Sequence, residues 1–178
     1  MHFKMNDKIL FAENQKFNQW WLWLLLLSIN LFMIYGFYEQ VINGHRFGDK
    51  PMSNTGQTIA LTATLALSVF FLIIKLQTIV KEDGIYYRFF PIHRAYRKFT
   101  WDKLKFVFVR QYSPLSEYGG WGLRFGISGT GKAVNVSGNK GLQLVFADNK
   151  KLLIGTNKPE AFIEVLSEIG QYKTPQAE

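Results

Sequence analysis

The stretch WWLWLLLLSINLFMIYGFY, residues 20–38, decides the fold class because it carries no charged side chain over nineteen positions. As an α-helix it would be about 28 Å long at roughly 1.5 Å per residue, close to the hydrocarbon thickness of a bilayer. Tryptophans stand at its beginning and tyrosines at its end, where amphipathic rings favour the membrane interface. The pattern predicts a transmembrane helix.

A second uncharged run, IALTATLALSVFFLII, covers residues 59–74 and is closed by Lys75. The two runs together predict a membrane α-helical hairpin; the alternative is a pair of buried helices in a soluble protein. The chain then divides into a juxtamembrane segment 1–19, a two-span hairpin 20–76 with an external loop 39–58, and a domain 77–178.

The basic residues near the spans predict the orientation. They are Lys4, Lys8 and Lys16 before the first span, Arg46 and Lys50 between the spans, and Lys75, Lys81, Arg88 and Arg94 after the second. Positively charged flanks stay on the cytoplasmic side. We therefore expect a multi-pass protein of the cell (inner) membrane with both termini cytoplasmic.

Small and polar residues predict how the two spans pack. Ala60, Thr64 and Ser68 recur every four residues and form a stripe that lets helix backbones approach closely. Asn30 lies at about the same depth as Ser68 in an antiparallel hairpin, so we expect a hydrogen bond from Asn30 to Ser68 or Thr64. The alternative is a polar pair in a transport pathway, which two spans without an ionisable residue do not favour.

The segment before the first span, ILFAENQKFNQWW, mixes aromatic and polar residues. This composition favours a short interfacial helix that bends into the span. On such a helix Glu13 and Gln15 would belong to a solvated face rather than to a polar site.

From Gln77 onward the hydrophobic period becomes that of β-strands. Asp83-Gly84 is a strong hairpin signal, and the later alternation places Leu104, Phe106 and Phe108 on one face and Leu123, Phe125 and Ile127 inward. About seven strands are followed by an amphipathic helix, with Asn157 and Glu160 expected to form a capping box. The pattern predicts a small antiparallel sandwich or barrel with a C-terminal helix.

The sequence GISGTGKA, residues 126–133, differs by one residue from the phosphate-binding loop pattern G-x-x-x-x-G-K-[ST]. Ala133 replaces the hydroxyl that would bind Mg²⁺, and the β-branched residues that follow do not favour a helix. We interpret this segment as a turn between two strands.

Charge predicts the partners. The chain has a net charge of +8, and residues 77–178 carry 15 Lys and Arg against 9 Asp and Glu. A basic domain beside a membrane meets anionic lipid headgroups first, and no recognised nucleic-acid-binding motif accompanies the charge. Arg88, Arg94, Arg97 and Lys98 are the expected headgroup contacts, and a solvated basic turn is the alternative.

The residues that commonly perform catalysis are sparse. There is no cysteine, and the three histidines (His2, His45 and His93) are expected at the terminus, outside and inside, too far apart to share a metal. No hydrolase or metalloprotease motif occurs. We therefore expect no enzymatic activity, no cofactor and no metal.

Trp121, between two glycines, is either a ligand-stacking residue or a core or membrane-facing side chain.

Five short segments carry a resemblance to a known group of proteins. They are Glu13-x-Gln15, Asp83-Gly84, Trp101-Asp102, the sequence EYGGWG at 117–122, and Ile154-Gly155-Thr156. Together with the order of elements, they resemble bacterial two-span membrane proteins with a pleckstrin-homology-like (PH-like) domain. The resemblance implies a PH-like seven-stranded antiparallel sandwich or barrel with a C-terminal helix.

Two functions remain open at this point. The first is a non-enzymatic integral membrane protein whose PH-like domain mediates protein assembly or docking at the anionic cytoplasmic face. Its partners would be anionic membrane lipids, a second copy or another membrane protein, and no nucleic acid. The alternative is a membrane sensor that binds a lipid or a small ligand.

Overall fold

The computed structural model describes residues 8–126 and 129–175. The fold is mixed α/β and divides into two units, Phe17–Ile73 on one hand and Met1–Lys16 with Ile74–Glu178 on the other. We refer to them as the helical unit and the β unit.

The helical unit contains two long helices. Helix α1 spans Trp20–Phe37 and continues as a π-helical segment, Tyr38–Ile42, while α2 spans Asn54–Ile73. Both are long and apolar enough to cross a membrane, with mean hydropathies of 1.7 and 1.8. Helix α2 begins before the predicted run, and helical backbone extends beyond residue 38, so the connecting segment is shorter than the predicted loop.

The predicted hydrogen bond between the helices is present. Asn30 Nδ2 donates to Ser68 Oγ at 2.7 Å and to the Leu26 carbonyl at 2.7 Å. The Ser68 hydroxyl in turn donates to the Thr64 carbonyl at 3.0 Å. Each proton of the Asn30 amide therefore has an acceptor, which matters for a residue that is only 9% exposed.

A second polar residue extends the contact toward the start of α2. Gln57 is buried, and its Nε2 donates to the Met33 carbonyl at 3.5 Å. Gly36 allows this approach, because a Cβ there would lie 2.8 Å from Gln57 Nε2. Ala60, Thr64 and Ser68 are half-buried on the same helix. Close packing around small residues is the expected mode of association for apolar helices.

The β unit contains nine strands and two short helices within the described residues. The strands are β1 Ile9–Lys16, β2 Lys75–Lys81, β3 Gly84–Phe90, β4 Arg97–Phe99, β5 Leu104–Gln111, β6 Gly122–Phe125, β7 Lys132–Asn135, β8 Lys140–Phe146 and β9 Lys151–Gly155. The helices are α3 Pro114–Tyr118 and α4 Pro159–Glu168. A single 3₁₀ turn, Trp101–Lys103, precedes β5.

The strands form two sheets. Their orders are β1-β2-β3-β4 and β5-β8-β9-β7-β6. The prediction was about seven antiparallel strands after the second span, whereas the described chain has eight strands there, β1 joins them from before the first span, and β7 pairs with β9 in parallel. The pair is parallel because β8 follows β7 in the chain but lies on the far side of β9 in the sheet, so that β9, antiparallel to β8, is inserted between β8 and β7.

The predicted Asp83-Gly84 hairpin is confirmed, with Lys81 opposite Gly84 across β2 and β3. Side chains alternate between the two faces of the sheet, and those on one face of β2 and β3 are buried. The buried residues are Leu76, Thr78 and Val80 in β2 and Ile85, Tyr87 and Phe89 in β3. Strands β8 and β9 are buried on both faces over most of their length. The core of the β unit thus lies between the sheets and around these two strands.

Two predicted faces are wrong. A β-bulge between Leu104 and Phe106 shifts the register of β5, so that Leu104 and Val107 are the buried residues. Phe125 is 76% exposed at the end of β6 instead of facing inward. Ile127 lies outside the described residues.

The predicted interfacial helix before the first span is also wrong, because residues 9–16 form the edge strand β1. Phe11, Glu13 and Gln15 are buried in alternation, and Gln15 Nε2 donates to the Gly155 carbonyl at 2.7 Å. The predicted solvated face of Glu13 and Gln15 is therefore replaced by buried contacts with the second sheet.

Helix α4 is confirmed, but its predicted capping box is not formed. Lys158 occupies the cap position without a side-chain cap bond. Instead, Thr156 Oγ1 accepts from the Lys158 amide at 3.0 Å, and Glu13 Oε1 accepts from the Asn157 amide at 2.8 Å. The amides that open this helix are thus satisfied partly by a side chain from β1.

Candidate functional site

Both connections to the helical unit leave sheet β1-β2-β3-β4 at the same end. Lys16, the last residue of β1, lies opposite Lys75, the first residue of β2, and Lys75 lies opposite Phe90 in β3. Only Ile74 separates Lys75 from the end of α2. The loop that follows Phe90 therefore starts from the sheet end at which the chain enters and leaves the two apolar helices.

Basic and aromatic side chains meet at this end. We call Lys75, Arg88, Phe90, Arg94 and Tyr96 the aromatic–basic cluster. Lys75 Nζ lies 5.4 Å and Arg88 Cζ 5.7 Å from the centroid of the Phe90 ring. Arg88 Cζ also lies 4.6 Å from the centroid of the Tyr96 ring. These are cation–π contacts between side chains that often occupy membrane interfaces.

Arg88 is held in a fixed position within the cluster. Its Nε and Nη2 donate to Gln77 Oε1, the cross-strand neighbour, at 2.9 and 2.5 Å. Its Nη1 donates to the Arg94 carbonyl at 3.4 Å. The loop between β3 and β4 is thereby tied to the sheet. At its tip Ile92 is 54% exposed beside exposed Arg94.

The four predicted headgroup residues do not form one group. Arg88 and Arg94 belong to the aromatic–basic cluster, whereas Lys98 forms an ion pair with Asp83 at the opposite end of the β2–β3 hairpin. Burial would raise the pKa of Asp83, but hydrogen bonds from Lys98 and Tyr86 outweigh burial and lower that pKa. The same bond raises the pKa of Lys98. Neighbouring positions on a strand point to opposite faces, which separates Arg97 from Lys98.

Arg97 lies next to Tyr87, its cross-strand partner. Burial raises the pKa of the Tyr87 hydroxyl, and the Arg97 charge opposes this rise. Both residues line a cavity on the side of the sheet away from Lys98. Contact of the four predicted residues with lipid remains a prediction.

The EYGGWG segment belongs to a polar network that no sequence pattern predicted. Arg110 donates to Gln143 Oε1 at 2.9 Å, to Glu117 Oε2 at 2.7 Å and to the Tyr118 hydroxyl at 3.1 Å. The Arg110 bonds lower the pKa of Glu117. Arg110 and Glu117 are seven residues apart in the chain and lie on different elements, β5 and α3. No local sequence pattern therefore indicated this ion pair.

Trp121 uses its indole N–H within this part of the β unit. Nε1 donates to the Gly138 carbonyl at 3.2 Å, and the ring is half-buried. Gly119, Gly120 and Gly122 around it all have positive φ. These glycines adopt backbone conformations that other residues disfavour, so they are required by the course of the backbone around Trp121.

The segment GISGTGKA connects β6 to β7, as expected for a turn between strands. Phe125 lies opposite Lys132, and the Gly126 amide donates to the Gly131 carbonyl at 2.6 Å. Ile127 and Ser128 lie outside the described residues.

Residues 8–126 and 129–175 contain no group of three His, Asp or Glu side chains arranged to hold a metal ion. His93 lies with its ring centroid 5.7 Å from that of Tyr87, and its Nδ1 accepts from the Phe89 amide at 3.3 Å. His45 pairs with Glu39 at 3.0 Å in the other unit. His2 is outside the described residues.

No family model matches this chain, and no curated protein matches its sequence. The geometry therefore defines the class: a basic two-sheet β unit joined, at one sheet end, to two helices able to span a membrane.

Proposed function

We propose that this chain is a non-enzymatic integral membrane protein whose β unit docks on the anionic cytoplasmic face of the membrane and supports protein assembly there. One observation carries the proposal. Lys75 and Phe90 of the aromatic–basic cluster stand in the same cross-strand row as Lys16, at the sheet end where the chain enters and leaves its two apolar helices.

The exposure of the helices supports the two spans. Only 17% of the apolar window in the first helix and 6% in the second is buried by the rest of the chain. A core helix of a soluble protein would be largely buried, since exposing long apolar surfaces to water is unfavourable. Lipid would cover these faces, with Trp20, 76% exposed, at the interface.

The charge distribution supports the orientation. The β unit carries most of the positive charge, and Lys8 and Lys16 precede the first span. Placing these residues on the cytoplasmic side leaves Arg46 and Lys50 as the basic residues of the connecting segment outside. Each basic side chain near an anionic surface contributes roughly 1 kcal/mol.

The architecture supports a PH-like assignment for the β unit, in that two packed sheets precede an amphipathic C-terminal helix. Strand β1 and the parallel pairing of β7 with β9 depart from the seven-stranded antiparallel scheme. Assembly with a second copy or another membrane protein remains part of the proposal.

The docking loop can be tested with a single fluorescent label, because the chain contains no cysteine. The variant Ile92→Cys carries an NBD label, and the full chain is reconstituted in nanodiscs of neutral lipid or of neutral lipid with phosphatidylglycerol. Docking predicts a blue shift and a rise in emission with the anionic lipid, and both should fall at high salt or after Arg94→Gln.

Glu82→Cys supplies the matched control. Glu82 lies at the other end of the same β2–β3 hairpin, roughly 20 Å away at about 3.3 Å per residue. Its label should not respond to anionic lipid. Equal responses at the two positions, or no response at Ile92→Cys, would overturn the docking proposal.

A further inference from the structure

A cavity of about 870 Å³ lies within the β unit, away from the aromatic–basic cluster. It is bordered by β4, by the turn between β8 and β9, and by the residues that lead into β7. Sites for small molecules occupy roughly 300–1,000 Å³. The cavity is therefore large enough for a ligand of drug or lipid size.

The inner wall of the cavity is aromatic. Tyr87 and Phe99 stack with centroids 5.7 Å apart and planes inclined by 22°. Phe99 meets Phe146 edge to face at 4.9 Å. Leu152 completes this wall. Since these rings pack on one another, the wall presents an ordered apolar surface to an occupant.

The rim of the cavity is basic. Five cationic side chains line it against two acidic ones, Asp102 and Asp148; the cationic residues are Arg97, Lys103, Lys132, Lys150 and Lys151. Asp148 is already paired with Lys150 at 2.7 Å. Four cationic side chains therefore remain against one carboxylate, that of Asp102. Their electric field favours a negatively charged group at the mouth of the cavity.

The mouth also offers an apolar lip. Phe125 is 76% exposed, and Lys132 Nζ lies 5.2 Å from the centroid of its ring. An exposed aromatic ring beside a lysine suits a ligand that has its charge at the rim and its apolar body inward.

We propose that this cavity binds an amphiphilic anion, with one carboxylate or phosphate at the lysine-rich rim and an acyl or aryl body against Tyr87, Phe99 and Phe146. The inference goes beyond membrane docking and stands whether or not the β3–β4 loop contacts lipid. Two sources supply this chemistry: a monoacyl anion from the membrane and a water-soluble aryl anion.

Photo-crosslinking of the full chain in neutral nanodiscs distinguishes the sources. One probe is a diazirine-bearing palmitic acid, and the other is 4-benzoylphenyl phosphate; labelled peptides are mapped by mass spectrometry. We expect one of them to label the peptides containing Phe99, Phe146 or Leu152. The probe that does so identifies an acyl or an aryl ligand.

Two double variants test the rim. Lys132→Gln with Lys151→Gln removes two exposed rim charges and should reduce labelling of the cavity about three- to tenfold. Lys105→Gln with Lys158→Gln removes the same charge from exposed positions outside the cavity and should leave labelling unchanged. Labelling confined to residues 20–42 and 54–73, or equal in the two double variants, would overturn the proposal.

Discussion

Thr156 Oγ1 donates a hydrogen bond of 2.6 Å to Glu13 Oε2, joining two residues that are 143 positions apart in the chain. Both are buried, at 2% and 6% exposure. The other carboxylate oxygen accepts from the Asn157 amide at 2.8 Å. The strand that precedes the first apolar helix is thus fixed to the start of the last helix by a buried carboxylate whose two oxygens are both bonded.

Removing this carboxylate should destabilise the β unit. Glu13→Ala leaves the Thr156 hydroxyl and the Asn157 amide without their acceptor, and we expect a loss of about 1–3 kcal/mol in the free energy of unfolding. Asn14→Ala, on the exposed face of the same strand, should cost little. Thermal unfolding in detergent measures both, and equal midpoints would contradict the role of Glu13.

The contact between the two helices should be sensitive to Asn30. Asn30→Leu removes the bond to Ser68, and we expect the helical unit to lose roughly 0.6–2 kcal/mol. A double-mutant cycle with Ser68→Ala isolates the pair, because both single variants break the same bond. Ser28→Ala, exposed on α1, is the control. Additive effects of Asn30→Leu and Ser68→Ala would show that the bond carries no coupling energy.

His93 should make folding stability depend on pH. Burial lowers its pKa in the folded protein, and the Arg97 charge lowers it further. Between the folded value and the ordinary value of 6.5, the unfolded chain binds more protons, so stability falls as pH decreases below about 6.5. Melting curves from pH 5 to 8 should show this slope, and His93→Asn should flatten it. An unchanged slope in the variant would exclude His93 as its source.

The ion pair of Glu117 and Arg110 should contribute to stability at neutral pH. The Arg110 bonds lower the pKa of Glu117 below its ordinary 4.5, so this contribution is present above that pH and is lost as pH falls through the folded value. Because both side chains are about one quarter exposed, we expect Glu117→Gln to cost only ~1 kcal/mol at pH 7. Glu160→Gln breaks the far more exposed pair with Lys140 and should have no measurable effect. Equal midpoints for wild type and Glu117→Gln at pH 7 would contradict this account.

Local signals predicted the features that depend on neighbours in the chain. Asp83-Gly84 specifies its hairpin through turn chemistry, and the continuous apolar runs specify α1 and α2 through composition. The bond from Asn30 to Ser68 or Thr64 was predicted from the small-residue stripe on α2 and from depth, because two antiparallel helices of similar length bring residues of equal depth together.

The features that were missed depend on distant partners. Along most of strand β1 every second side chain is buried. Two of these buried positions are occupied by Glu13 and Gln15, so the sequence lacks the alternation of hydrophobic and polar residues that would indicate a strand. Their partners are Thr156 and Gly155, which only the folded chain brings near. The cavity was equally hidden, since Arg97 and Lys132 meet at its rim from separate sheets.

The proposed function requires that the two helices span a membrane, with the β unit on the cytoplasmic side. Its most direct test uses right-side-out membrane vesicles and a membrane-impermeant maleimide on two single-cysteine variants, Asp49→Cys in the connecting segment and Glu164→Cys in α4. We expect Asp49→Cys to be labelled in intact vesicles and Glu164→Cys to be labelled only after detergent is added. Labelling of both in intact vesicles, or the reverse pattern, would contradict it.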